Sequence, residues 1–164
     1  MKMSYRVDGD IDLQNALLHL ATFPQRSGGK ILAQEQRKAL VPVRTAVKRS
    51  LRRGAGRRYG FLARAYVIRS GGRRGTVSTM ILGVSKKRYG KYYPVRYAHL
   101  VEFGTKPHWQ PRLGRMHPGA RKIPHLRPAW EQNRKRVVDS FGRGLTLAVE
   151  KEARRIARPP RRSR

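Results

Sequence analysis

Two stretches of this chain decide its fold: Tyr97-Ala-His-Leu-Val-Glu-Phe-Gly-Thr105 and Pro124-His-Leu-Arg-Pro-Ala-Trp-Glu131. The first places apolar residues around a single acid, Glu102, and then ends on glycine and threonine. This pattern predicts a short helix that ends at Gly104, because glycine readily adopts the left-handed conformation that caps a helix. The second stretch predicts a loop that enters a long helix at Pro128, since proline is tolerated in the first helical turn. We expect this helix to run to about residue 157.

The segment between these stretches, residues 106–127, is rich in proline and glycine. Its composition predicts a long irregular loop, and loops of this length within a compact domain are usually functional or ordered only on binding. Trp109 lies in this loop and is predicted to be an interface anchor. We expect the loop and the basic tail, residues 158–164, to become ordered only within an assembly.

The chain before residue 60 predicts helices. One is expected over 11–22, followed by a turn at 27–30. A second helix is expected over 30–53, where apolar residues recur at helical spacing. Pro42 should kink or restart this second helix, because proline lacks an N–H donor.

A β-hairpin is predicted next, with strands over 61–69 and 76–85 and a glycine-rich turn over 70–75. Residues 61–62 are equally compatible with a last helical turn. The fold class predicted is therefore α+β: a small antiparallel sheet or hairpin packed with two to three helices, a long C-terminal helix, an extended loop and a basic tail. We expect one domain over residues 1–157.

Charge is the most unusual property of the composition. The 164 residues include 39 Lys and Arg but only 9 Asp and Glu, a formal net charge of +30. So many like charges weaken a compact state unless a polyanion or an acidic neighbour compensates for them. Between residues 36 and 101 there are 18 basic residues and no acidic one. The basic cluster predicted to contact DNA phosphates or an acidic partner is Arg49, Arg52, Arg53, Arg57, Arg58, Arg73, Arg74, Lys86, Lys87 and Arg88.

Several classes of site are disfavoured by the sequence. There is no cysteine, which excludes disulfides and thiolate zinc sites. The five histidines lack the spacing of common metal motifs, and the glycine-rich segments lack the endings of nucleotide-binding loops. Glu150 and Glu152 point in different directions on a helix, so they do not form a general acid/base pair. We predict no catalytic, metal or cofactor site, and therefore no enzyme.

Glu102 is predicted to have a structural role. It is expected to be partly buried and paired with an arginine, either Arg127 or one from a neighbouring subunit. The N-terminal residues lack the apolar core of a signal peptide, and no apolar run approaches the roughly 20 residues that span a bilayer. A cytoplasm-like setting without a membrane partner is therefore expected.

The two opening stretches together resemble the paired signature of the tail-completion or head–tail joining proteins of siphophages, which include the lambda minor tail protein Z group. The family pattern runs roughly Tyr-Ala-x-x-Val-Glu-Phe-Gly-Thr, then a variable loop, then Pro-x-Leu-Arg-Pro-Ala. The matching positions are Tyr97, Ala98, Val101, Glu102, Phe103, Gly104, Thr105, Pro124, Leu126, Arg127, Pro128 and Ala129. The resemblance is sharp over 97–131 and looser over the preceding helix and Gly60-Phe-Leu62.

This resemblance implies a structural virion protein that is assembled in the host cytoplasm and located in the neck, at the top of the tail. Such proteins form a ring, typically hexameric, between the head connector or adaptor and the tail terminator or tail-tube proteins, and double-stranded DNA crosses the ring. Composition alone favours an alternative, a non-specific nucleic-acid-binding protein of the ribosomal or nucleoid-associated kind. An RNA-cleaving toxin is a third possibility, which rests only on the histidines and the charge.

Overall fold

The structure, a computed structural model, describes Leu18 and residues 25–53, 57–74 and 77–157. Over these residues it contains five α-helices, two small antiparallel sheets of two strands each, and one short 3₁₀ helix. The predicted α+β class is therefore confirmed. The predicted helix over 11–22 and the basic tail lie outside the described residues, apart from Leu18.

The first two described helices are separated just before a proline, as predicted. Helix α1 is Gln25–Ala39 and α2 is Val41–Arg52, and Pro42 lies in the first turn of α2. At that position the missing N–H has no intrahelical partner to lose. The turn predicted over 27–30 is wrong, because these residues belong to α1. Both glycines of that segment are buried, so tertiary packing outweighs the low helix propensity of glycine.

A third helix leads directly into the first hairpin. Helix α3 is Arg57–Ala65, strand β1 is Tyr66–Arg74, and β1 pairs with β2, Val77–Val84. The first strand was predicted over 61–69, but residues 61–65 extend α3, which is the helical alternative. The predicted turn over 70–75 is also too long, because strand β1 continues to Arg74.

The short helix of the first stretch is confirmed. Helix α4 is Pro94–Phe103, and Gly104 follows it with φ 72° and ψ −178°. The positive φ explains the glycine, although the ψ value is extended and does not correspond to the left-handed helical cap that the sequence suggested.

The segment over 106–127 is irregular only in part, and the prediction of an irregular loop over its whole length is wrong. Strand β3, His108–Gln110, and strand β4, Arg115–His117, form a second antiparallel hairpin. A 3₁₀ turn over Pro111–Leu113 connects them and ends on Gly114, whose φ of 56° and ψ of 29° are left-handed. Proline and glycine therefore shape a tight turn here.

The long C-terminal helix, α5, spans Leu126–Ala157. It begins before Pro128, the predicted start, but this proline still lies within the first turn. The helix is described as far as Ala157, where the sequence predicted its end. None of the described helices combines the length and the apolar character that crossing a bilayer requires.

The described residues cluster into two compact units. The first unit contains residues 25–39, 70–74, 77–81 and 135–157. Leu145 and Val149 of α5 are buried at its centre, and Ile31, Leu32 and Phe141 pack against them. The core of the first unit is therefore formed between α1 and the C-terminal part of α5.

The second unit contains residues 40–53, 57–69 and 82–134. In it α2 packs against α3, and α3 packs against α4. Its buried apolar residues include Val43, Val47, Leu51, Leu62, Val101 and Ala129. Both halves of the sequence signature, residues 97–105 and 124–131, lie in this unit.

Candidate functional site

The two halves of the sequence signature meet at Glu102. Its Oε2 accepts hydrogen bonds from the backbone N–H of His125 at 2.9 Å and of Leu126 at 3.0 Å. Its Oε1 accepts one from the N–H of Arg127 at 3.2 Å. These N–H groups stand at the start of α5, where no carbonyl of the helix is available and the helix dipole favours an anion. Glu102 of α4 therefore caps α5, and we name this arrangement the Glu102 clamp.

The predicted ion pair between Glu102 and the Arg127 side chain is wrong. The guanidinium of Arg127 instead donates from Nε to Glu131 Oε1 at 3.0 Å, one helical turn further along α5, where both side chains are exposed. The burial of Glu102 is confirmed, since only 9% of the residue is exposed. Burial alone would raise the pKa of this carboxyl, but the three backbone donors and the nearby His125 outweigh it and lower the pKa.

His125 extends the clamp into a buried polar chain. Its Nδ1 lies 3.0 Å from Glu102 Oε2 and 2.9 Å from the carbonyl oxygen of Ile123. Its Nε2 lies 2.8 Å from the hydroxyl of Tyr66 on β1. A protonated Nδ1 can donate to the two oxygens beside it, and the unprotonated Nε2 can then accept a hydrogen bond from the Tyr66 hydroxyl. Burial, together with the charge of Glu102, raises the pKa of Tyr66, so this hydroxyl keeps its proton.

The order hydroxyl, imidazole and carboxylate is also the order of a catalytic triad. Here, however, the exposed fractions of Tyr66 and His125 are 3% and 1%. A hydroxyl buried to this extent presents no surface to a substrate. The chain of hydrogen bonds therefore ties β1, α4 and the start of α5 together within the second unit.

Sequence reasoning missed Tyr66 and His125 as members of this network. Their positions are 59 residues apart, and no spacing rule links a strand tyrosine to a histidine so far along the chain. The one available signal was the position of His125 within the second half of the signature.

Between the two halves of the signature, residues 105–120 contain the second hairpin, and we name this segment the arm. Its base is closed by backbone hydrogen bonds in both directions between Thr105 and Ala120, at 2.9 and 3.1 Å. The Thr105 hydroxyl oxygen also accepts from the Ala120 N–H at 2.8 Å. Just outside the base, the N–H of Ile123 donates to the carbonyl of Val101 at 2.8 Å.

Two glycines allow this close approach of the two chain segments. Gly104 has a φ of 72°, and a Cβ built there would lie 2.7 Å from the Ala120 carbonyl oxygen. Gly119 has a φ of 87°, and its Cβ would collide with the carbonyl oxygen of Thr105. Any other residue at either position would strain the backbone and open the base of the arm.

The arm carries exposed apolar side chains. Trp109, Leu113 and Met116 are 55%, 58% and 59% exposed. Trp109 and Met116 are directly paired across β3 and β4, so their side chains lie on the same face of the hairpin. The role of Trp109 as an interface anchor remains a prediction, and its exposure is compatible with that role.

The histidines of the arm stack on each other. The rings of His108 and His117 have centroids 5.0 Å apart and are inclined by 24°. His117 Nδ1 accepts a hydrogen bond from the Gly119 N–H at 3.0 Å, so it also supports the arm. Over the residues that the structure describes, no group of three or more His, Asp and Glu side chains could hold a metal ion.

The remaining signature residues divide between core and surface. Val101 and Ala129 are buried, whereas Phe103 is 67% exposed at the end of α4. The partly buried positions are Tyr97, Ala98, Leu126 and Pro128, and Pro124 is exposed, as are Phe103 and Arg127. The signature therefore both builds the second unit and presents side chains to its surroundings.

The predicted basic cluster is found in part. Arg49 and Arg52 of α2 and Arg53, which directly follows it, are exposed and line a shallow groove with Arg44, Thr45 and Lys48. Arg44 and Lys48 were absent from the predicted cluster, although their helical spacing from Arg52 could have revealed them. Three more members of the predicted cluster are exposed in the loop after β2: Lys86, Lys87 and Arg88. Four members of the predicted cluster have side chains outside the described part of the structure: Arg57, Arg58, Arg73 and Arg74.

Comparisons of the chain with protein-family models, with curated proteins and with solved structures found no match.

Proposed function

We propose that this protein is a structural component of a tailed phage or phage-like particle, a tail-completion or head–tail joining subunit that forms a ring in the neck. The observation that carries the proposal is the Glu102 clamp. Through it the two separate halves of the signature, residues 97–105 and 124–129, are joined by three hydrogen bonds. A signature whose parts meet in a buried helix cap specifies a folded platform, which is what an assembly subunit requires.

The arm supports the same proposal. Its base is held by the clamp, the Thr105–Ala120 bridge and two obligatory glycines, while its apolar side chains face outward. Tryptophan and methionine are enriched at protein interfaces, and a buried tryptophan often contributes much of the binding energy. An arm that is fixed at its base and apolar at its surface is suited to packing against a neighbouring subunit or a connector protein.

A second candidate is a non-specific nucleic-acid-binding protein of the ribosomal or nucleoid-associated kind. The formal charge of +30 and the basic groove on α2 favour it. It would require neither an apolar arm nor a ring, so the oligomeric state separates the two candidates.

The proposal is tested in particles produced from the genome that encodes this chain, with and without its gene. Without the protein we expect filled heads and free tails that do not join, as seen by electron microscopy. Supplying the intact chain in trans should restore joined, infectious particles. Normal tailed particles in its absence would show that the protein is not a neck component. Purified protein that forms no ring, even when mixed with connector and tail-tube proteins, would favour the second candidate.

A further inference from the structure

Helix α2 presents basic side chains in rows beside its buried face. The buried row is Val43, Val47 and Leu51. Arg44, Lys48 and Arg52 form the row next to it, and Thr45, Arg49 and Arg53 form the row beyond that one. Positions four residues apart lie on one face of a helix, so each row runs along α2. We name these two rows the basic face of α2.

The charges of this face are not compensated by the described part of the chain. None of the ion pairs found among the described residues includes a side chain of the basic face. Partial burial, together with the neighbouring charges of Arg44 and Arg52, lowers the pKa of Lys48. The face therefore crowds like charges, and a bound polyanion would relieve their repulsion.

The length of the rows suits a nucleic-acid duplex. A helix rises about 1.5 Å per residue, so side chains in one row recur about every 6 Å and a row of three extends over about 12 Å. Double-stranded DNA presents one phosphate charge per roughly 1.7 Å of its axis, on the order of seven over that length. Every cation of a row can therefore approach a phosphate at the same time.

The chemistry of the groove favours nucleic acid over an acidic protein. Its six lining residues are five cations and one threonine. The cores of protein interfaces are depleted in charge and enriched in aromatic residues, whereas nucleic-acid interfaces are much more positively charged. The groove contains no apolar anchor among these residues, so it has little to offer a protein partner beyond charge.

We infer that the basic face of α2 binds the phosphate backbone of double-stranded DNA without sequence preference. This inference rests on the proposed function only for the identity of the nucleic acid, the DNA that crosses the neck. Contacts to phosphates fix the position of a protein on a duplex but carry no sequence information. The face would therefore hold passing DNA through many equivalent, salt-sensitive contacts.

The test uses the purified full chain and a labelled duplex of arbitrary sequence, with fluorescence anisotropy over about 50–200 mM salt. The row variant is Arg44→Gln/Lys48→Gln/Arg52→Gln. The matched control, Arg134→Gln/Lys135→Gln/Arg136→Gln, removes the same charge from exposed positions of α5. Losing three phosphate contacts should reduce the slope of log K against log salt by about 2.7 and weaken binding roughly 10²–10³-fold at 0.1 M salt. The control should lose no more than about tenfold, through the net charge alone.

Circular dichroism will show whether each variant is folded. Two further variants test the inference even if the row variant does not fold. Arg49→Gln/Arg53→Gln changes only exposed side chains and should reduce the slope by about 1.8. Arg44→Lys/Arg52→Lys keeps the charges and should retain most of the affinity. Equal losses in the row variant and the α5 control would overturn the inference. So would binding of poly-glutamate as tight as that of the duplex, since the partner would then be an acidic protein.

Ring formation is measured separately by light scattering. The failure of the neck proposal can then be distinguished from the failure of the inference about α2. A chain that binds DNA through α2 but never assembles would contradict only the neck proposal. A ring that forms normally while the row variant and the control bind DNA equally would contradict only the inference about α2.

Discussion

At the scale of single residues, Glu102 connects the two halves of the sequence signature within the second unit. One carboxylate serves three N–H groups that α5 cannot satisfy by itself. The same role is usually filled by a residue immediately before the helix. Here it is filled by a residue of α4, more than twenty positions earlier in the chain. The cap therefore also joins α4 to the start of α5.

Replacing Glu102 with alanine is expected to lower the free energy of unfolding by about 2–4 kcal/mol, because a helix cap is lost and backbone donors are left without an acceptor. Denaturant unfolding measures this loss. The control is Glu131→Ala, which removes an exposed ion pair with Arg127 and should cost no more than about 1 kcal/mol. Similar losses in the two variants would show that the Glu102 clamp contributes no more to the free energy of unfolding than an exposed ion pair.

The pH dependence of stability provides a second measurement on Glu102. The pKa of its carboxyl is lower in the folded chain than its ordinary value of 4.5. Such a group stabilises the fold above its unfolded pKa, and this contribution disappears as the pH falls through the folded pKa.

We therefore expect the stability of the wild type to fall more steeply below pH 4.5 than that of Glu102→Gln. Thermal unfolding at a series of pH values measures both slopes. Glu152, whose pKa is also lowered, through its hydrogen bond to Arg155, is present in both proteins, so its effect cancels. Parallel curves for the two proteins would contradict the conclusion that Glu102 is ionised in the folded chain.

At the scale of elements, the join between α4 and the arm depends on Gly104. Gly104→Ala should lower the free energy of unfolding by about 1–3 kcal/mol or more, because its φ of 72° is unfavourable for alanine and the new Cβ would press on the Ala120 carbonyl. Denaturant unfolding measures the loss.

The control for this change is Gly60→Ala within α3, where a Cβ meets nothing within 4 Å. Alanine favours a helix over glycine, so this substitution should instead stabilise the protein by about 0.5–1 kcal/mol. If Gly104→Ala were equally harmless, the close approach at the base of the arm would have no role in stability.

The long elements were predictable because their signals are local. Apolar residues at helical spacing revealed the helices on both sides of Pro42 and the end of α5. The second hairpin was missed because its strands have three residues each, too few to show alternation. Its form depends on the turn at Gly114 and on the bridge between Thr105 and Ala120.

The candidate site was only half predictable for a related reason. The burial and structural role of Glu102 follow from an acid set among apolar residues. Its partners are backbone N–H groups, which nearly every residue carries, so no side-chain pattern marks them. The sequence suggested a side-chain partner, Arg127, and the true contact is the main chain of that same residue. Tyr66 became visible only once the fold had placed β1 beside His125.

At the scale of the whole molecule, the second unit combines an apolar arm with a strongly basic helix. The two surfaces are chemically distinct, so they are suited to different partners. Protein interfaces favour large apolar anchors, and duplex phosphates favour rows of cations. An assembly subunit that also contacts DNA needs both.

The arm provides a direct test of assembly. Trp109→Ser/Met116→Ser should leave the unfolding free energy within about 0.5 kcal/mol, since exposed substitutions rarely matter for stability, but should abolish ring formation in light scattering. The control, Leu147→Ser, removes an apolar side chain that is 66% exposed on α5. Rings that form equally well with the altered arm would assign the interface to another surface.

The closed base of the arm has a consequence for how this chain can diversify. Residues outside a fastened base can be exchanged or lengthened at little cost, because each doubling of a loop adds only about 0.6 kcal/mol of closure entropy. The tip around Trp109 and Met116 could therefore be replaced by another sequence, provided that Gly104 and Gly119 are kept. Substitutions accumulated over evolution should concentrate between those two glycines, which makes the arm a natural place to graft a new binding specificity.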